Sequence, residues 1–202
     1  MKIVMDQCFH WIQFHIMNKC LEEGYEVIGI DQVNSEKEEF LYSMVGRNAN
    51  FTLIDSRAEL PKKTKGKYVG LMKKEGDFQN LADFTFHGEQ YYLVEEAGDD
   101  CVERKPNHQI IFLPPLIGGW MDQPHYENTI ASNTEIVLID DFASWLTTIF
   151  QTTLKPNPIF LNKKEENRHG NDLSLIVYHS IEEGKKQMDA HIKKYPFYYK
   201  NV

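Results

Sequence analysis

MKIVMDQCFHWIQFHIMNKCLEEGYEVIGID, residues 1–31, is the stretch of sequence that decides the fold. Its short apolar run at residues 3–5 predicts a buried strand. Apolar residues then recur every three or four positions, which predicts a helix with one buried face. They are Phe9, Ile12, Ile16, Met17, Cys20 and Leu21. Gly24 ends this helix, and the β-branched run at residues 27–30 predicts a second strand that is covered on both faces. The stretch is therefore a βαβ unit.

This unit resembles the start of the extended short-chain dehydrogenase/reductase family, which includes the nucleotide-sugar epimerases and dehydratases. The family begins with a strand, a Gly-x-x-Gly-x-x-Gly turn, a helix that ends in two acids and a glycine, and a strand closing on Gly-Ile-Asp. Residues 22–24 (Glu-Glu-Gly) and 29–31 (Gly-Ile-Asp) match, but Gln7, His10 and Gln13 replace the three glycines. The resemblance implies an α/β fold, with a Rossmann-like parallel sheet, helices on both faces and a reduced C-terminal part. It also implies NAD(P) as the family's cofactor.

The three replacements bear directly on cofactor binding. The family glycines make a tight turn, admit the pyrophosphate and let the helix pack closely on the strand. Side chains at His10 and Gln13 project into that space, so we expect the chain to have filled its own nucleotide site and to hold no cofactor. The alternative is that Gln7, His10 and Gln13 donate hydrogen bonds to a ligand in an altered pose. Asp31 is either the family's ribose-binding acid or an ordinary turn residue.

The family's catalytic Tyr-x-x-x-Lys pair is absent, since none of the ten tyrosines is followed by a lysine four residues later. The nearest helix candidate, residues 91–96, carries an acid at the lysine position, and an acid raises a tyrosine pKa. We therefore assign no catalytic residue and expect the catalytic helix to be deleted. Residues 82–88 resemble the family's fourth strand, which by that likeness would place His87 beside a nicotinamide. A histidine at a strand end is also an ordinary structural residue.

The second half of the chain also resembles the family. Residues 108–120 are similar to the family strand and loop that flank nicotinamide and substrate, which makes Gly118 a candidate cofactor-binding residue. Residues 134–143 resemble a strand and helix start, where we expect Asp140 or Asp141 to cap the helix. Residues 158–162 and 171–182 resemble the next strand and helix.

Composition restricts the remaining function classes. The 202-residue chain has a formal net charge of −8 and a pI near 5.5, which disfavours general binding to nucleic acid or to anionic membranes. Its three cysteines, at positions 8, 20 and 101, show no paired spacing, which favours reduced thiols and a cytoplasmic location. Cys8, His10 and His15 lack a spaced second pair of ligands, so we expect no metal site.

The sequence predicts one Rossmann-like domain, residues 1–184, and a basic aromatic tail, residues 185–202. The tail either packs back on its own domain or docks a protein partner. Three functions remain open. The first is a catalytically silent interaction or regulatory module. The second is an NAD(P) or nucleotide sensor, and the third is an oxidoreductase or epimerase with relocated groups drawn from Asp6, His10, His87 and Tyr91.

Overall fold

The computed structural model describes residues 1–74, 86–96, 107–132, 135–152 and 179–199, together with the backbone of 159–160. The strands are β1 (Lys2–Asp6), β2 (Glu26–Ile30), β3 (Phe51–Ile54), β4 (Lys67–Lys74), β5 (Glu89–Glu96), β6 (His108–Phe112), β7 (Leu116–Ile117), β8 (Val137–Leu138) and β9 (Ile159–Phe160). The helices are α1 (Trp11–Glu22), α2 (Glu36–Val45), α3 (Gln123–Ser132), α4 (Ile139–Phe150) and α5 (Ile181–Lys194), with 3₁₀ turns at Arg57–Glu59 and Pro196–Tyr199.

Within the described residues, the main sheet has seven strands in the order β3-β2-β1-β4-β5-β6-β9. Every neighbouring pair is parallel. The strand order reverses between β1 and β4, and ligands of such sheets bind beyond the carboxyl ends of the strands at this reversal. β7 and β8 form a separate parallel pair. The prediction of a Rossmann-like parallel sheet is confirmed.

Alternation along the strands divides the buried residues between the two faces of the sheet. Ile3 and Met5 of β1 belong to the cluster that includes the buried faces of α1 and α4, whereas Val4 belongs to a smaller cluster with Tyr68 and Tyr92. Gly24 has φ of 75° just after α1, which is the left-handed conformation expected of a helix-ending glycine. The sheet is therefore buried on both faces, as the apolar run of β2 predicts.

Two predictions about the middle of the chain are wrong. The fourth strand is residues 67–74 and not 82–88, of which 82–85 lie outside the described residues. Residues 91–96 belong to strand β5 and not to a helix. The predicted deletion of the catalytic helix concerns the interval between residues 88 and 108, of which 97–106 lie outside the described part of the chain.

The start of α4 also differs from the prediction. Its N-cap is Leu138, and no side chain caps the helix. Asp140 and Asp141 lie in the first turn instead, where Asp140 bonds the His15 ring at 3.0 Å and Asp141 bonds the His179 ring at 2.7 Å. The two aspartates therefore hold other elements against α4. The helix predicted within residues 171–182 falls mostly outside the described residues.

The C-terminal segment is packed against the body of the protein. A capping box at Ser180 and Glu183 starts α5. The hydroxyl of Tyr199 accepts a hydrogen bond from the Trp120 amide at 2.6 Å and lies 2.7 Å from Nδ1 of His191. Tyr199 is 6% exposed, whereas Phe197 is 62% exposed. In the part of the chain described, no helix is both long enough and apolar enough to span a membrane.

Candidate ligand-binding cleft

The turn between β1 and α1 keeps the backbone shape of a phosphate-binding turn without its glycines. Gln7 has φ of 51°, in the left-handed region that normally favours glycine. Its amide donates to the Ile30 carbonyl at 2.9 Å. Two residues later, the Phe9 amide donates to Oδ2 of Asp31 at 2.9 Å, and the other oxygen of Asp31 accepts from the Gln32 amide at 2.9 Å. Asp31 is therefore bonded to the turn itself.

His10 is the N-cap residue of α1, but its side chain makes no capping bond. Its buried Nδ1 has no hydrogen-bond partner, and burial lowers the pKa of the ring to about 4. Lys37 and Asp122 are close enough to affect that pKa. Lys37 Nζ donates to the Trp120 carbonyl at 2.6 Å, which joins α2 to the loop after β7. His10 is therefore a neutral ring beside this connection.

Gln13 is fully buried between α1 and the sheet. Its Nε2 donates to the Val69 carbonyl at 3.4 Å, and its Oε1 has no hydrogen-bond partner. The third family glycine lets the helix approach the sheet closely, and in this chain a side-chain amide fills the same gap. Gln13 therefore has no surface that a ligand can contact.

Asp6, at the carboxyl end of β1, is the buried acid of the cleft. Its Oδ2 accepts from Nε of Arg57 at 3.0 Å and from the Tyr68 hydroxyl at 3.0 Å, and it also pairs with the second guanidinium nitrogen of Arg57. Burial, first of all, and the nearby Asp6 charge raise the Tyr68 pKa well above its usual value. Asp6, Arg57 and Tyr68 therefore form a hydrogen-bonded triad at the carboxyl ends of β1 and β3 and on β4, and all three line the cleft.

Two adjoining cavities lie beyond the carboxyl ends of the strands. The first, about 320 Å³, lies over the β1/β4 reversal and includes Asp6 and Arg57 in its walls. The second, about 590 Å³, extends toward α3 and is lined by Trp11 and Pro114 among others. Both cavities are lined by His10, Lys73 and Glu95, so together they form one cleft. Burial raises the pKa of Glu95 at their junction.

The structure brings together only some of the residues predicted from the sequence. Gln7 and His10 line the first cavity. His87 is exposed and precedes β5, at the amino edge of the sheet and opposite the cleft. Gly118 follows β7, where an added Cβ would clash with Cγ2 of Ile139, so close packing against α4 accounts for the glycine.

Sequence reasoning missed Arg57 and Tyr68. Arg57 lies 51 residues from Asp6 in sequence, and only the placement of β3 and β4 around β1 joins them. A single arginine and a single tyrosine outside any recognised motif are a weak signal by themselves. Among the described residues, no group of three or more His, Cys, Asp or Glu side chains is arranged to hold a metal ion.

Comparison with known proteins gives matches in structure alone. No family model and no curated protein sequence matches the chain. Among solved structures, vestitone reductase from alfalfa superposes with a TM-score of 0.68 at 9% identity, over 97% of this chain and 99% of that chain. The dTDP-glucose 4,6-dehydratase from Bacillus anthracis, in complex with NAD, gives 0.65 at 8% identity over 99% of each chain.

A third match is the UDP-glucuronic acid 4-epimerase from Bacillus cereus, solved with NAD and UDP-4-deoxy-4-fluoro-glucuronic acid. It gives a TM-score of 0.62 at 12% identity, over 96% of this chain and 99% of that chain. At identities this low, the superpositions establish the fold and do not establish which ligands this chain binds. The chain therefore has the same Rossmann-like fold as these three structures, which is the fold that the resemblance at residues 1–31 implied.

Proposed function

We propose that this protein is a catalytically silent relative of the epimerase-like Rossmann proteins that serves as an interaction or regulatory module and binds no dinucleotide. The observation that carries the proposal is the hydrogen bond from the Phe9 amide to Asp31. Backbone amides of this turn and the helix N-terminus are what hold a diphosphate in such folds. In this chain a carboxylate occupies one of them.

The charge around the turn also opposes a diphosphate. Asp6 ends β1 and Asp31 directly follows the neighbouring strand β2. Burial, first of all, and then the charges of Asp31 and Asp6 raise the pKa of the Cys8 thiol. A diphosphate placed here would face both carboxylates at short range in a partly dry site, where like charges repel strongly. His10 adds no positive charge, because burial holds its pKa at about 4.

The chain does hold a tyrosine next to a lysine, but at the wrong edge of the sheet. The Tyr91 hydroxyl lies 3.1 Å from Lys67 Nζ and 2.7 Å from Glu89, at the amino ends of β4 and β5. Burial and the bond to Glu89 raise the Tyr91 pKa far above the usual tyrosine value. A general base needs a pKa near the working pH and contact with substrate, so Tyr91 fits a structural role.

The partner surface that we propose is the C-terminal segment. Tyr199 holds this segment on the body, and Phe197, two residues earlier, stays exposed. Exposed aromatic side chains are enriched at protein interfaces. We further propose a cytoplasmic location, because Cys8 and Cys20 are free thiols in the core and such thiols suit a reducing compartment.

Titration of the full chain with NADH and NADPH, followed by nicotinamide fluorescence and by calorimetry, tests the proposal. We expect no saturable binding and no turnover of UDP-glucuronic acid or dTDP-glucose. Saturable binding in the micromolar range would overturn the proposal. A rise in melting temperature with one member of a nucleotide panel would instead favour the nucleotide-sensor alternative.

A further inference from the structure

We propose that the cavity over Asp6 and His10 binds a small, uncharged, hydroxyl-rich molecule and rejects the phosphorylated form of the same molecule. The inference goes beyond the proposed function, because a protein can lose its dinucleotide and still keep a ligand site. It rests on unpaired hydrogen-bonding atoms around a formed cavity at the strand-order reversal of the sheet.

The first atom without a described partner is Oδ1 of Asp6. Arg57 and Tyr68 both bond its Oδ2, and no described residue bonds its Oδ1. The residue is only 8% exposed, and its exposed part faces the cavity that it lines. An ionised carboxylate oxygen at the wall of a cavity can accept a hydrogen bond from a bound molecule. A ligand hydroxyl can supply the missing donor.

The second unpaired group is the ring of His10, which lines both cavities. Its buried Nδ1 has no partner. A turn of the ring about its Cβ–Cγ bond exchanges that nitrogen with Cδ2 and requires no backbone movement. A neutral imidazole can then accept from, or donate to, a hydroxyl group. The site therefore pairs a fixed acceptor with an adaptable second group.

The charges of the cleft select against phosphate. Arg57 is already paired with Asp6, and Lys73 and Glu95, which carry opposite charges, both line the junction of the two cavities. A phosphate brings only acceptors and negative charge, so it would leave Asp6 Oδ1 unpaired and face Glu95 as well. Hydroxyl groups meet neither obstacle.

The dimensions and the walls suit a ring-sized molecule. A cavity of about 320 Å³ lies at the lower end of the range for small-molecule sites. The adjoining space offers apolar walls at Trp11, Leu113 and Pro114 and polar groups at Asn128 and Thr129. One ring can place its hydroxyl edge on Asp6 and His10 and its apolar face toward these walls.

The test is an NMR titration of the ¹⁵N-labelled full chain with three probes: adenosine, methyl β-D-glucopyranoside and ADP. We expect at least one neutral probe to shift amide signals of residues 6, 7, 10 and 70–73 saturably. We expect ADP to bind about tenfold more weakly than adenosine, because its diphosphate brings negative charge toward Asp6 and Glu95 and offers no hydrogen-bond donor to Asp6. If only one neutral probe binds, its identity distinguishes a nucleoside from a monosaccharide.

Two variants assign the site. H10A should weaken binding of the neutral probe about threefold to tenfold, the size of one lost hydrogen bond, whereas H87A, which removes an exposed histidine at the opposite edge, should leave it unchanged. If H10A does not fold, Q7G removes a lining amide at a backbone position that glycine favours, and a weakening of about threefold is expected.

Three results would overturn the inference. They are ADP binding as tightly as adenosine, the absence of shifts at these residues with both neutral probes, and unchanged affinity in the folded variants. The inference and the proposed function fail separately. NADH binding contradicts the proposed function, whereas the absence of amide shifts with both neutral probes contradicts only the ligand site.

Discussion

Oδ2 of Asp31, at the end of β2, accepts a hydrogen bond from the Phe9 amide in the β1–α1 turn at a distance of 2.9 Å. The carboxylate also accepts from the Gln32 amide, so both of its oxygens are used by the chain itself. Burial, first of all, raises the pKa of Asp31. An acid that could bind the ribose of a cofactor instead stabilises the turn against which the diphosphate of that cofactor would rest.

Replacement of Asp31 should therefore destabilise the protein. We expect D31A to lower the free energy of unfolding by about 1–3 kcal/mol, because a part-buried amide loses its acceptor. Asp55, one residue past the next strand, is exposed and serves as the matched control. D55A should change stability by no more than about 0.5 kcal/mol. Urea denaturation of both variants measures the difference, and equal stabilities would contradict a structural role for Asp31.

Removal of Arg57 should cost more, because it leaves the Asp6 carboxylate buried without its cation. We expect R57A to lower the free energy of unfolding by about 2–4 kcal/mol, below the full effect of a wholly buried pair because the Arg57 side chain is 34% exposed. R47A, at an exposed position in the loop after α2, is the control. A loss no greater than that of R47A would show that Asp6 needs no partner.

Stability should fall in mild acid. Burial lowers the pKa of His10 and of His191 to about 4, below the ordinary value of 6.5, so the unfolded chain binds more protons between these values. The two histidines therefore make their full contribution to stability above about pH 6.5, and that contribution is lost as the pH falls toward about 4. Each group contributes on the order of 1–2 kcal/mol after allowance for its partial exposure.

Melting temperatures of wild type, H10A and H87A between about pH 7 and pH 4.5 measure this effect. The wild type and H87A should lose stability in parallel as the solution is acidified. H10A should show a smaller loss, since one of the two buried histidines is gone. The same slope in all three proteins would contradict a neutral, buried His10.

The hydroxyl of Tyr199 should hold the C-terminal segment in place. It accepts from the Trp120 amide and bonds the His191 ring, so Y199F leaves both groups without their partner. We expect a loss of about 1–3 kcal/mol, together with faster amide exchange in residues 196–199. Y198F is the control, because no described residue bonds the Tyr198 hydroxyl. Unchanged exchange in Y199F would refute this role.

The fold could be predicted from residues 1–31 because periodicity, the glycine stop and the β-branched run all indicate the same βαβ unit. The strand β4 was missed, since a strand covered on both faces shows no alternation and Gly70 interrupts its apolar run. The short apolar run in residues 91–94 suits a helix or a strand equally well. The search for the family's catalytic helix assigned it wrongly to a helix.

The candidate site could be predicted in part. Gln7 and His10 were located through the positions of the missing glycines, which are local in sequence. The bonds of Asp31 to Phe9, and of Arg57 to Asp6, depend on how strands far apart in the chain lie side by side. Such pairings carry no periodic signal, so they become visible only once the strand order is known.

The most direct test of whether the β1–α1 turn excludes a diphosphate is electron density from a crystal of the protein grown with excess NAD⁺. We expect the turn at residues 7–10 to keep its own hydrogen bonds, with Asp31 on the Phe9 amide and no diphosphate against α1. Density for a diphosphate seated on Gln7, His10 and Gln13, with Asp31 displaced from Phe9, would contradict it.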